Sequence, residues 1–299
     1  MKKQPGYIVL YEKGILTEKI KQAESVYRNC HLCPHHCEVD RMKGSSGFCK
    51  SDKDPLIASY MAHYAEEPQI SGKRGSGTIF FAHCNMRCLY CQNHTISQKK
   101  HTRKYSYRDL AMMMIYLQQE GCHNINLVSP SHMIYPILQS LEPAIKMGLQ
   151  IPLVYNSGGY DSPETLKLIE GIIDIYLPDF KYSDSQTAKE LSGVTDYPSN
   201  AKDVLTEMYQ QVGNLQTDEH GIAEKGLLVR HLVLPDDIAG SYKVIDIIAS
   251  LSSDILINIM GQYYPAYQAG KIPALAREVT SKEFYDVVNY AKNKGLRVE

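Results

Sequence analysis

The sequence predicts an α/β protein, an open partial (β/α)6 barrel over residues 75–299, preceded by a small cysteine-rich metal module within residues 1–74. Two observations carry this expectation. From residue 75 onward, apolar strand-like runs alternate with helical stretches, the pattern of a parallel sheet with helices packed outside it. Six such strands stand out, short of the eight that close a full barrel. Ahead of them, residues 30–49 hold four cysteines and three histidines with no apolar periodicity.

In chain order, residues 16–28 read as an amphipathic helix, with Ile20, Ala23 and Tyr27 spaced for one face. The six strands fall at residues 77–82, 124–129, 151–156, 172–177, 226–234 and 255–260. Ser106 with Asp109 is a capping-box signature before a helix over 110–117, and Gly121 stands where a C-terminal glycine belongs. Ser162-Pro163 puts a cap residue before a proline at the first helical position, and Gly171 closes that helix. Residues 201–212, 242–251 and 281–294 carry the same helical period. In such folds ligands bind beyond the carboxyl ends of the strands, so residues there are the candidates for chemistry.

Composition narrows the function classes. The 299 residues are 43% hydrophobic and 22% charged, which excludes a disordered chain and a coiled coil. Thirty-two basic against thirty-three acidic side chains give a net charge of −1, so no global field draws the protein to nucleic acid or to a membrane surface. The basic run at 99–104 reads as a solvated loop. The apolar run at 7–10 is too short for a signal peptide, and no stretch is long enough for a membrane span. A cytoplasmic location with reduced thiols is therefore expected. Seven of the eight cysteines cluster, and clustered reduced thiols point to metal rather than disulfides.

The first cluster to weigh is His83-Cys84-Asn85-Met86-Arg87-Cys88-Leu89-Tyr90-Cys91, which directly follows the first strand of the repeated unit. A structural zinc or a ferredoxin cluster takes four protein ligands. Three cysteines around a four-iron, four-sulfur cluster leave one iron open to a small chelating cofactor. The C-x3-C-x-aromatic-C spacing in this position resembles the radical S-adenosylmethionine superfamily. Gly75 to Phe81, Gly121 to Leu127, Tyr155 to Tyr160, Asp174 to Lys181 and Val229 to Pro235 extend the likeness to the PflX-type branch, relatives of pyruvate formate-lyase activating enzyme.

That resemblance implies that Cys84, Cys88 and Cys91 ligate a [4Fe-4S] cluster, and that Tyr90 lies near the adenine of S-adenosylmethionine. It implies an oxidoreductase that reductively cleaves this cofactor and takes a hydrogen atom from a substrate. Where relatives carry Gly-Gly-Glu, this chain reads Ser129-Pro130-Ser131-His132, so a hydroxyl or carbonyl has to replace the acid. Asn156, Asp179, Lys181 and His231 are the further cofactor contacts implied, Lys181 as partner of the cofactor carboxylate. The substrate implied is a glycyl-radical enzyme, with a peptide, another protein or a small metabolite as the near alternative. A flavodoxin or ferredoxin is the implied low-potential electron donor.

The amino-terminal set, Cys30, Cys33, Cys37 and Cys49, spaced C-x2-C-x3-C-x11-C, has enough thiols for a complete shell, either a second iron–sulfur cluster or a zinc. His31, His35 and His36 are alternative ligands. Cys122 reads as a buried inert thiol, and the tyrosines of residues 262–267 as the floor of a substrate cavity or as packing. Two rival classes are a non-catalytic iron–sulfur electron carrier and a zinc-organised interaction protein.

Overall fold

A computed structural model describes residues 4–98 and 103–299. Its ten strands are β1 Leu56–His63, β2 Ser76–Phe81, β3 Arg103–Lys104, β4 Ile125–Val128, β5 Leu153–Asn156, β6 Ile175–Tyr176, β7 Gln216–Thr217, β8 Ala223–Leu232, β9 Leu256–Met260 and β10 Arg297–Val298. They form one sheet in the order β10-β9-β8-β6-β5-β4-β2-β1-β3, with β7 on β8. All pairings from β2 through β10 along this path are parallel, while β1 and β7 pair antiparallel. The α/β class and the mostly parallel sheet agree with the sequence reading, and all six expected strands are present.

Several boundaries differ. Residues 151–156 shorten to Leu153–Asn156, because Pro152 has no N–H to donate to a ladder and offers only its carbonyl, to Ile125. The eight-residue β1 escapes the sequence reading because its burial is mixed and polar and apolar residues do not alternate cleanly along it. It lies within residues 1–74 yet pairs along β2, so the two stretches of chain share a sheet. The capping box of Ser106 and Asp109 is formed and starts a helix at Tyr107–Gln119. Ser162 caps Pro163–Leu168, a helix that stops short of Gly171. The amphipathic stretch 16–28 is the helix Ile15–Arg28, whose Tyr27 meets Tyr135 of the helix Ile134–Lys146. In the basic run, residues 99–102 lie outside the described residues, and Lys104 pairs with Asp52 and Asp54.

Apolar side chains divide between two faces of the sheet. Ile125, Leu127 and Tyr155 join the large core under the helices, while Val154, Ile175 and Leu228 meet Ile70 on the concave side. The segment from Glu66 to Ser71 enters that concavity. Asn124 Nδ2 donates to Ile70 O at 2.7 Å from one side, and Asn258 Nδ2 donates to Glu67 Oε1 at 2.8 Å from the other. The segment is thus tied to both halves of the sheet. Among the described residues no helix is long and apolar enough to cross a membrane.

Candidate functional site

Directly after β2 the backbone turns sharply at His83, a non-glycine residue at φ 67°, and the loop with Cys84, Cys88 and Cys91 follows. Backbone bonds clamp this loop from two sides. Arg87 N and Leu89 N donate to Ser192 O and Leu191 O at 3.2 and 2.8 Å, and Gln268 N donates to Leu89 O at 2.8 Å. Donors also reach the sulfurs: Ser192 Oγ to Cys88 Sγ at 2.9 Å, and Met86 N to Cys84 Sγ at 3.4 Å. Cys91 Sγ lies 3.3 Å from Ser97 Oγ. Burial, and then the neighbouring Cys88, push the Cys84 thiol up to about 12. Hydrogen-bond donors and the nearby Lys181 cation are what an anionic thiolate-ligated cluster needs, so the donor set fits a [4Fe-4S] group.

Tyr90 is buried, and its ring packs edge-on against Tyr182 and Tyr263. Its hydroxyl lies 2.6 Å from that of Tyr182, which is 2.7 Å from Ser192 Oγ, so a hydroxyl chain leads to Cys88. From the tyrosine-rich loop, Tyr263 therefore meets the cysteine loop, and Tyr267 stacks on His94 at 4.9 Å.

The other strand ends bring polar groups together. Asp179 accepts from Lys181 Nζ at 2.6 Å and from Arg230 Nε at 3.0 Å. Burial pushes the Asp179 carboxyl up, but the two cations outweigh it and hold the group below the usual carboxylate range. Burial likewise pulls Lys181 down, and Asp179 more than restores it. Arg230 also donates to Asn156 Oδ1 at 2.6 Å and reaches Glu66 Oε2 at 3.4 Å. Gly159, at φ +73°, allows the loops after β5 and β6 to close up, since a Cβ there would stand 2.4 Å from Asp179 O. Ser129 sits at φ 56° and its N–H donates to Asn156 O at 2.9 Å.

One sequence expectation needs revision here. The sequence reading has His231 facing the cofactor ribose. Instead it is fully buried on the helix side of β8, with Nδ1 2.6 Å from Phe180 O and Nε2 2.9 Å from Ser241 Oγ. Side chains alternate along a strand, so Arg230 takes the lumen side. Sequence reasoning missed Arg230, whose signal was a cation beside His231 interrupting the apolar run of residues 226–234. Lys181 is paired with Asp179. Deeper in, both side-chain polar atoms of Asn126 and Glu67 Oε2 are buried without hydrogen-bond partners. Orphaned polar groups of this kind mark a lumen built around a ligand.

The amino-terminal cysteines converge on a separate small cavity, lined by Cys30, Cys33, Cys37 and Cys49 with Arg41, Phe48 and His132. Its wall is shared with the first set: Cys49 and Cys84 border one cleft, and Phe48 lies between the His35 ring at 3.8 Å and the Arg87 guanidinium at 4.0 Å. Among the described residues no three His, Cys, Asp or Glu side chains already form a ready ion site. Cys122 is buried beneath Gly77, and His123 partners Arg74.

Comparison with known proteins agrees with this geometry. Residues 78–213 match the Radical SAM superfamily. An uncharacterized protein of Methanocaldococcus jannaschii is 29% identical over 293 residues, spanning 95% of this chain and 80% of the relative. A second uncharacterized protein of that organism is 31% identical over 88 residues, spanning 23% of this chain and 24% of its own. A crystal structure of HydG, described as a maturase of the [FeFe]-hydrogenase, superposes with a TM-score of 0.51 at 12% identity over 72% of this chain, a likeness of fold. The chain spans about half the length of that protein, 49%. The match to the Radical SAM superfamily over residues 78–213 takes in a little under half of the chain and includes the cysteine loop after β2.

Proposed function

We propose that the protein is a radical S-adenosylmethionine enzyme in which Cys84, Cys88 and Cys91 hold a [4Fe-4S] cluster. When bound, cluster and cofactor supply a 5′-deoxyadenosyl radical that takes a hydrogen atom from the substrate. The observation that carries this reading is the cysteine loop after β2, with donors on Cys84 and Cys88, beside the charged strand-end cluster of Asp179, Lys181 and Arg230. A non-catalytic electron carrier has no use for such a cluster.

The chain's own residues define how the site would work. Arg230 and Lys181 hold Asp179 ionised and fix a polar wall beside the cysteine loop. Asn156 and the Ser129 turn continue that wall toward β4. The segment with Glu67 and Ile70, together with the buried tyrosines around Tyr90, keeps water from the interior, which a reactive radical requires. In this reading the low-potential donor is a flavodoxin or ferredoxin, the substrate a protein glycine of the activating-enzyme kind, and the amino-terminal cysteines hold a second iron–sulfur cluster or zinc.

Anaerobic reconstitution with iron and sulfide, followed by dithionite and S-adenosylmethionine, tests the proposal through 5′-deoxyadenosine. Product from wild type and none from Cys84→Ala/Cys88→Ala/Cys91→Ala is expected. A fully loaded wild type that binds the cofactor and makes no product would overturn it.

A further inference from the structure

Arg41 is the least expected side chain in the molecule. It is fully buried, and its partners are carbonyls: Ser51 O at 3.0 Å from Nε, and Asp52 O and His132 O at 2.9 and 2.6 Å from Nη2. The guanidinium lies 4.0 Å over the Tyr27 ring, and its Nη1 is 4.0 Å from Cys30 Sγ. Among the described residues no carboxylate pairs with it, and the carboxylate of the adjacent Asp52 turns to Lys104. Carbonyl dipoles satisfy the N–H groups but supply no net negative charge, and a buried cation without an anion is strongly disfavoured.

The cavity beside Arg41 suggests where the anion comes from. We infer that Cys30, Cys33, Cys37 and Cys49 form a closed four-thiolate metal centre whose negative charge is balanced inside the protein by Arg41. A metal deprotonates the thiols that bind it, and four thiolates around a divalent ion or an iron–sulfur cluster leave a net anion. The loop is shaped for that shell. Phe48 N donates to Cys37 Sγ at 3.3 Å, and a Cβ at Gly47 would stand 2.6 Å from the same sulfur, so only glycine lets the backbone come this close. Cys30 and the 38–39 turn are tied by two backbone bonds, Glu38 N to Cys30 O and Cys30 N to Val39 O.

Two of the three histidines are engaged through one ring nitrogen each, while His36 lines the cavity with the cysteines. His31 Nδ1 lies 2.6 Å from Asn29 O, and His35 Nε2 lies 2.8 Å from Asn85 O while its ring stacks on Phe48. The same Asn85 follows Cys84 in the radical loop, with its Oδ1 3.8 Å from Cys84 Sγ. The amino-terminal loop and the radical loop thus meet at Asn85.

The test uses the full-length Cys84→Ala/Cys88→Ala/Cys91→Ala protein, so that failure of the radical reading cannot mask the result. Anaerobic titration with cobalt(II), as a spectroscopic stand-in for zinc, should give one tight equivalent with thiolate-to-cobalt charge-transfer bands. Separate zinc and iron-plus-sulfide arms identify the native occupant by metal and sulfide content per chain. Adding Cys37→Ala should abolish binding. Arg41→Met should weaken cobalt binding at least tenfold and shrink the metal-induced rise in Tm, with Arg41→Lys intermediate, whereas an arginine needed only for packing would lower Tm equally with and without metal. No tight equivalent of cobalt, zinc or cluster in the triple variant would overturn the centre. Unchanged metal affinity in Arg41→Met would overturn the role of Arg41.

Discussion

The two sets of cysteines share a wall yet sit in opposite electrostatic settings. Beside Cys84 and Cys88 the Lys181 cation is already paired with Asp179, which Arg230 also holds, and buried polar atoms of Asn126 and Glu67 lack partners. Around Cys30, Cys33, Cys37 and Cys49 stands one buried arginine with no carboxylate, in a cavity with little space beyond the thiols themselves. Three ligands suit a centre that reacts, and four beside a lone cation suit a centre that is saturated. Proximity in space has not made the two environments alike, because each gets its charge balance from different elements.

Substitutions that break this contrast should have effects of very different size. Removing any of Cys84, Cys88 or Cys91 should abolish 5′-deoxyadenosine formation while metal bound by the amino-terminal set persists, read by product assay and metal content. Next comes Arg230→Met. It leaves the buried Asp179 with Lys181 alone, and breaking a buried ionic network in this way costs about 3–5 kcal/mol, read by denaturant unfolding. Gly47→Ala crowds Cys37 Sγ and should cost about 1–3 kcal/mol, with the larger loss when metal is present.

A further effect is on pH dependence. Burial holds the His132 imidazole down to about 3, so the folded protein keeps it neutral while the unfolded chain takes up a proton near the ordinary histidine value. The unfolded state then binds more protons, and stability falls as pH drops below about 6.5 towards 3, by at most about 1.4 kcal/mol per pH unit. Above that window His132 contributes no slope. Thermal unfolding across it should be shallower for His132→Gln, which keeps a donor for Ala82 O but cannot titrate.

Much of this was readable in the chain itself. Period and caps gave the strand–helix alternation, including the Ser106–Asp109 box. Alternation within one strand was not resolved: His231 was expected in the lumen and Arg230 was passed over, because an apolar run does not announce which face is buried under helices. Arg41 was invisible for another reason. An arginine in a polar loop looks solvated until Tyr27, Ser51 and His132, remote in sequence, close around it. The Glu66–Ser71 segment was missed likewise, since only the pairing of β1 with β2 carries it into the concavity.

The contrast between an open and a closed centre is tested most directly by electron paramagnetic resonance of the dithionite-reduced, reconstituted protein before and after adding S-adenosylmethionine. The account predicts one cluster signal that shifts with the cofactor in wild type and is missing from Cys84→Ala/Cys88→Ala/Cys91→Ala. A cofactor-induced shift that survives in the triple variant, or a loaded wild type whose spectrum ignores the cofactor, would contradict it.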